Sequence, residues 1–221
     1  ALDGTAIVLR VLQENSDVKT GAASIPVVTS PGRSGFGPGL SLRYDSGAGN
    51  GALGLGWTLS PPSVSRKADR GLPRYLDDEE SDVFVLSGAE DLVPAMTEGA
   101  EGWERVVLEQ EGYRVLRYRP RIETDFARIE RWVDTTDGSS HWRVTDRGNV
   151  TSWFGRSASS RVARPGYPRQ VFRWLLDRVE DDRGNVSVYE YVGEDLIGVR
   201  TLMPWEESRG GEQPQRYLKR I

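Results

Sequence analysis

Apolar positions along this 221-residue chain recur mainly with a period of two, the spacing of a strand with one buried face. Leu40, Leu42 and Tyr44 alternate with Ser41 and Arg43, which predicts a half-buried strand. Between Gly47 and Gly56 five glycines fall in ten residues, a density no helix interior tolerates. Trp57, Leu59 and Val64 then resume the extended pattern. Val83 to Leu86 is a short apolar strand closed by a Ser87-Gly88 turn. From Trp103 to Val150 the chain reads as a meander. Within it Tyr113 to Arg119 alternates imperfectly, as at a bulge or a sheet edge. Asp137-Gly138 marks a turn between Ile129–Val133 and Trp142–Val144. One stretch has two readings, because Ile122, Phe126, Ile129 and Val133 also fit helical spacing and no Gly or Pro interrupts residues 121–137.

A repeated turn adds to this picture. Asp146-Arg147-Gly148-Asn149-Val150 returns 36 residues later as Asp182-Arg183-Gly184-Asn185-Val186, each copy preceded by an Arg-Val pair. Asp146 and Asp182 are expected to accept backbone hydrogen bonds at the turn entrance, while Gly148 and Gly184, or the Asn beside them, take the left-handed conformation. Phe172, Trp174 and Leu176 predict a strand before the second turn, and Val186, Val188, Tyr189 and Tyr191 one after it. Tyr217 to Ile221 reads as a further strand, with a parent chain expected to continue past it. The fold class is therefore all-β: antiparallel hairpins and a meander with long Gly/Pro-rich loops. Residues 1–20 are read as an N-terminal arm and residues 21–221 as one β domain.

Composition narrows the function classes. No run approaches the ~18 apolar residues of a membrane span, so membrane insertion by this segment is not expected. A net charge of −4 and a pI near 5.3 argue against nucleic acid, which requires a basic face. Cysteine is absent, which removes disulfides and thiolate chemistry.

The candidate chemistry is thin. Gly47-Ala48-Gly49-Asn50-Gly51-Ala52 spells a dinucleotide fingerprint, but that motif needs a helix opening at its third position, and Gly54, Gly56, Pro61 and Pro62 follow instead. Glu109-Gln110-Glu111 reproduces the Glu-x-Glu pair of ADP-ribosyltransferases, yet no Ser-Thr-Ser strand accompanies it; charged strand-end residues are the better reading. His141 is the sole histidine and by itself makes no His-ligated metal cluster. The run Asp77, Asp78, Glu79, Glu80 and Asp82 reads as a solvated loop in preference to a Ca²⁺ site, which needs oxygen ligands spaced around a glycine turn. Tryptophans 57, 103, 132, 142, 153, 174 and 205 are read as core fillers in preference to a sugar-stacking platform. No catalytic residue, cofactor or metal is expected.

Two blocks carry a specific resemblance. The first runs from Gly21 to Tyr75 (GAASIPVVTSPGRSGFGPGLSLRYDSGAGNGALGLGWTLSPPSVSRKADRGLPRY) and on to DVFVLSGAEDLVP, Asp82 to Pro94. The second joins YRPRIETDFARIERW, HWRVTDRGNVTSWFG and FRWLLDRVEDDRGNVSVYEY to the terminal RYLKRI. Together they resemble the N-terminal domain shared by the Salmonella virulence-plasmid B protein and the B subunits of insecticidal Tc toxins. The resemblance implies a non-catalytic scaffold domain of a secreted toxin, opening a chain that goes on into a propeller and Tyr-Asp repeats. Those repeats form a β-shell around a toxic polypeptide. Its implied partners are downstream segments of the same chain or a C-type toxin subunit. Within the scaffold Arg33, Asp45 and Asn50 are expected to fix loops by hydrogen bonds and Trp57 to anchor the core. A carbohydrate or cell-surface binding module is the alternative, and a domain attached to an actin-modifying ADP-ribosyltransferase the second alternative.

Overall fold

The structure is a computed structural model that describes residues 10–11, 21–29, 32–51, 53–59, 61–69, 71–87, 91–99, 102–122, 126–194 and 214–221. Among them there is no α-helix; helical turns are confined to short 3-10 segments at Arg33–Gly35, Asp77–Glu79 and Ala158–Ser160. The fold is all-β, with every strand pair antiparallel. Two compact units divide the chain, Ala1–Pro61 and Pro62–Ile221.

The first unit contains β1 (Arg10–Val11), β2 (Ala22–Pro26), β3 (Ser41–Asp45), β4 (Asn50–Gly51), β5 (Gly54–Leu55) and β6 (Trp57–Leu59). A four-stranded sheet runs in the order β1-β2-β3-β6, and β4 with β5 makes a separate ribbon. Leu42 and Tyr44 of β3 are half-buried. The Tyr44 ring packs on Trp57 of β6 with centroids 5.2 Å apart. Where the ribbon returns, Gly56 has φ +78, and a Cβ there would lie 2.7 Å from the Tyr44 ring and 2.8 Å from the Asp45 carbonyl oxygen. Only glycine fits that approach.

The second unit begins with β7 (Ser63–Arg66), β8 (Phe84–Leu86), β9 (Asp91–Pro94), β10 (Met96–Gly99), β11 (Gly102–Arg105) and β12 (Val107–Gln110). It continues through β13 (Tyr113–Pro120), β14 (Arg128–Asp134), β15 (Ser140–Thr145), β16 (Thr151–Phe154) and β17 (Arg161–Ala163). Last come β18 (Val171–Glu180), β19 (Val186–Val188), β20 (Glu190–Gly193) and β21 (Arg216–Arg220). Eight of these strands close into a barrel in the order β13-β14-β15-β16-β18-β7-β8-β9, with β9 returning to β13. β12 extends outward from β13, β17 and β19 flank β18, and β10-β11 and β20-β21 pair as separate ribbons, the second packing Tyr191 and Leu218 against the barrel core.

An eight-stranded barrel is just wide enough for side chains to fill it. Here the period-two alternation points Val64, Phe84, Tyr118, Ile129, Trp142 and Trp174 into one shared core. The uneven pattern of Tyr113 to Arg119 has a different cause from the edge or bulge expected. β13 is an interior strand, pairing first with β12 and then with β9 on one side and with β14 on the other. Leu116 faces the core and Val115 is covered on the outer face, so the two are buried side by side, while Arg117 is half-buried and Arg119 exposed. The described part of residues 121–137 is strand and turn, so the helical reading does not hold there; Ile129 faces the core while Trp132 lies on the outer wall.

The longest strand, β18, carries the seam. Opposite the Trp153–Phe154 step the register slips, and Phe154 faces Leu176 while Trp153 faces Arg178. Asp177 is the extra residue of this bulge. Turned inward beside Leu176, its Oδ2 accepts hydrogen bonds from the Ser157 amide and the Ser160 hydroxyl, both at 2.9 Å. The 3-10 turn at Ala158–Ser160 is thereby tied to the barrel.

Candidate functional site

The most concentrated group of buried charge lies within the barrel unit. In β7, Val64 and Arg66 share the inward face, so an arginine enters an apolar lumen. In β14, Arg131 does the same between Ile129 and Val133. Both guanidinium groups are buried, at 1% and 3% exposure. A charge so placed must find compensation or unfold the site. The loop after β7 supplies it. Arg66 Nη1 donates to Asp77 Oδ1 at 2.6 Å and to Asp82 Oδ2 at 2.7 Å, and Arg66 Nη2 donates to Asp77 Oδ2 at 3.0 Å. Arg131 Nη2 reaches the same Asp77 Oδ2 at 2.6 Å and the Ser140 hydroxyl at 3.1 Å. Arg66 Nε donates to the Val171 carbonyl at 2.8 Å. Two cations and two carboxylates thus form a neutral, bidentate cluster that plugs the barrel.

The acidic run is therefore not a solvated loop throughout. Asp77 and Asp82 are drawn inward, while Asp78, Glu79 and Glu80 stay exposed and pair with Arg114, Arg74 and Arg105. Burial alone would raise the Asp77 carboxyl, but hydrogen bonds and charge from Arg66 and Arg131 outweigh it and hold the group at about 2. For Asp82 burial likewise pushes upward, and the Arg74 and Tyr75 amides with Arg66 bring the value down. Among the described residues no group of carboxylates, histidines or cysteines is arranged to hold a metal.

Aromatic rings line the cluster. The Arg66 guanidinium lies 5.1 Å from the Phe84 ring and 5.5 Å from Trp174, and Arg131 lies 5.0 and 5.7 Å from the same two rings. Trp142 meets Phe84 edge-on at 5.0 Å and Tyr118 at 4.9 Å. Trp174 Nε1 donates to the Ser140 carbonyl at 2.7 Å. Sequence reasoning missed this group. The signal was present as a charge on the apolar face of two strands, with an acidic run nearby to match it.

The residues singled out in the sequence are scattered. Asp45 Oδ1 accepts from the Gly47 amide at 2.8 Å and closes the loop after β3. Asn50 opens the two-residue strand β4, and no helix rises from it. Arg33 is exposed in a 3-10 turn and makes no side-chain hydrogen bond among the described residues. Trp57 is half-buried against Tyr44. Asp146 Oδ1 accepts from the Gly148 and Val150 amides at 2.8 and 2.9 Å, and Asn149 takes φ +57. In the second copy the frame moves by one residue. Asp181, not Asp182, accepts from the Arg183 and Asn185 amides at 3.0 and 2.8 Å, and Gly184 takes φ +78. Gly184 therefore stands where Asn149 does, because it is the fourth residue counted from the accepting carboxylate. Glu109 is the last but one residue of β12 and Glu111 sits in the following turn, both exposed. Of the tryptophans, 142 and 174 are inside the barrel, 132 is buried on its outer wall and Trp103 is 72% exposed on β11; Trp205 lies outside the described residues.

His141 lies on the outer wall, stacked on Trp132 and edge-on to Tyr113. Burial, then the charges of Arg161, Arg156 and Arg143, push its imidazole from 6.5 down to about 4. The unfolded chain therefore binds the proton more readily than the native protein between those two values. Stability is full above pH 6.5 and falls as the pH drops toward 4, by about 3 kcal/mol in all. Urea titrations at several pH values check this: His141→Gln should flatten the acid limb by that amount, and an unchanged limb would remove His141 as its source.

A family model described as SpvB, Salmonella virulence plasmid 65kDa B protein, matches residues 16–221. The chain belongs to the SpvB family. It is 29% identical over 219 residues to the mono(ADP-ribosyl)transferase SpvB of Salmonella typhimurium, covering 96% of this chain and 36% of that protein. The SpvB of Salmonella dublin matches to the same extent. The chain thus spans little more than a third of these SpvB relatives. Among solved structures, the N-terminal domain of the effector SpvB from Salmonella typhimurium superposes with a TM-score of 0.74 at 30% identity, over 88% of this chain and 62% of that one. A TcdB2-TccC3 structure superposes with a TM-score of 0.78 at 29% identity, over 97% of this chain and 10% of that one. The Tc holotoxin pore of Photorhabdus luminescens gives 0.77 at 28% identity, over 97% and 10%. This SpvB-family fold therefore recurs both in an effector and within much longer toxin chains.

Proposed function

We propose that this chain is a non-catalytic structural module of a secreted toxin polypeptide, a rigid wall element that adjoins and supports the segments of a larger β-shell. The observation that carries the reading is the filled and plugged barrel. Its lumen is occupied by aromatic side chains, and its buried charges are spent on one another. What such a body offers to neighbours is a fixed outer surface. The recurrence of the fold inside TcdB2-TccC3 chains supports a role beside downstream segments or a C-type subunit. The mono(ADP-ribosyl)transfer of the SpvB relatives is carried to this segment by nothing in its geometry, since Glu109 and Glu111 are exposed near a strand end.

The test separates wall from transferase. Saturating NAD should leave the melting temperature of the 221-residue chain unchanged, and no nicotinamide should be released on incubation. Nicotinamide release that disappears on Glu109→Gln or Glu111→Gln would overturn the structural reading.

A further inference from the structure

The outer wall of the barrel carries a row of side chains that the plug and the packed lumen leave unused. Cross-strand register places Arg117 opposite Glu130, Glu130 opposite Arg143, Arg143 opposite Trp153, and Trp153 opposite Arg178. The row crosses β13, β14, β15, β16 and β18 at the ~4.8 Å spacing of neighbouring strands. Its members interleave: Arg143 lies 5.8 Å from the Trp132 ring and 6.0 Å from Trp153, and Arg178 lies 5.8 Å from Trp153. Stacking on indole faces holds a guanidinium flat and leaves its N–H edge to find an acceptor.

One carboxylate already uses such an edge, and a second, buried, lies near two more as a looser ion pair. Glu180 accepts from Arg178 at 2.8 and 3.2 Å, and Glu130 sits 3.6 Å from both Arg117 and Arg128. Arg143, the middle rung, has neither a hydrogen bond nor an ion pair among the described residues, and its Nε is buried without a partner. Four arginines therefore face two glutamates in a chain whose net charge is −4. The anions the row takes are side chains of β-strands, one of them on β18 itself.

We propose that this arginine–tryptophan row is a docking surface for an extended acidic polypeptide segment, whose carboxylate pairs with Arg143 and completes the ladder. Bidentate geometry favours carboxylate over a point contact, and the excess of guanidinium over carboxylate sets the sign of the partner. The inference goes beyond the wall reading, because it names the chemistry of what lies against the wall.

The experiment adds a synthetic peptide alternating glutamate with threonine to the ¹⁵N-labelled chain, with a glutamine-for-glutamate peptide and a heparin oligosaccharide in parallel. The expected result is that the glutamate peptide alone shifts the Trp132 and Trp153 indole resonances, that added salt weakens it, and that Arg143→Gln lowers its affinity about tenfold. Equal shifts with the glutamine peptide, shifts with heparin only, or undiminished binding to Arg143→Gln would each overturn the proposal. Should that variant fail to fold, the resonance mapping on the unaltered chain decides alone.

Discussion

Arg66→Ala should destabilise the protein by about 3–5 kcal/mol, the range for stripping one partner from a buried ion cluster. The residue makes three bonds to carboxylate oxygens, at 2.6, 2.7 and 3.0 Å, and a fourth to the Val171 carbonyl at 2.8 Å. Its loss strands Asp82 with only backbone donors and leaves Asp77 to Arg131 alone. It also opens a space between Tyr75, Phe84 and Trp174, the three rings the guanidinium touches. Urea denaturation followed by tryptophan fluorescence measures the difference. Asp78→Ala, one residue from Asp77 but exposed, should change stability by no more than about 0.5 kcal/mol. Equal effects of the two substitutions would mean that the acidic loop does not enter the barrel.

Trp174→Ala is expected to cost a similar amount, about 3–5 kcal/mol, for a different reason. The side chain has 0% exposure and stands at the crossing of the whole interior. Trp142 and Phe84 meet it edge-on at 6.0 and 5.7 Å, and Gly155 approaches so closely that a Cβ there would overlap the indole. Removing it empties an indole-sized volume that a closed barrel cannot collapse to fill, and deprives the Ser140 carbonyl of its donor. Trp174→Phe should fall between alanine and the natural residue. Trp103→Ala, on an exposed ribbon, should be near neutral. Near-ultraviolet circular dichroism alongside chemical denaturation distinguishes these cases. A mild Trp174→Ala would contradict a filled lumen.

These two residues also mark what the sequence reveals and what it hides. The alternation of Leu42 and Tyr44, the turn at Asp137-Gly138 and the strands around Trp174 were all legible, because a period of two and a glycine turn are local signals. Closure of the ring was not. It depends on β9 returning to β13 and β7 to β18, pairings between distant segments that no local pattern encodes. The acidic run misled for a related reason. Five carboxylates in six positions look solvated until an arginine from another strand is known to face two of them. The second copy of the repeated turn shows a finer limit: the letters repeat, but the hydrogen-bonded frame begins at Asp181 because Asp181 and Asp182 compete for one entrance.

The seam between β7 and β18 has a kinetic consequence. Arg66 and Val171 stand 105 positions apart and must meet before the ring is whole. Loop-closure entropy is lost before that contact returns anything, so assembly belongs to the slow, milliseconds-to-seconds class of non-local topologies. Until β18 is available, β7 and β16 expose bare edges on which other unfinished chains can template. Rapid dilution from denaturant should therefore give yields that fall with protein concentration, and a chain emerging from a ribosome must wait for β18.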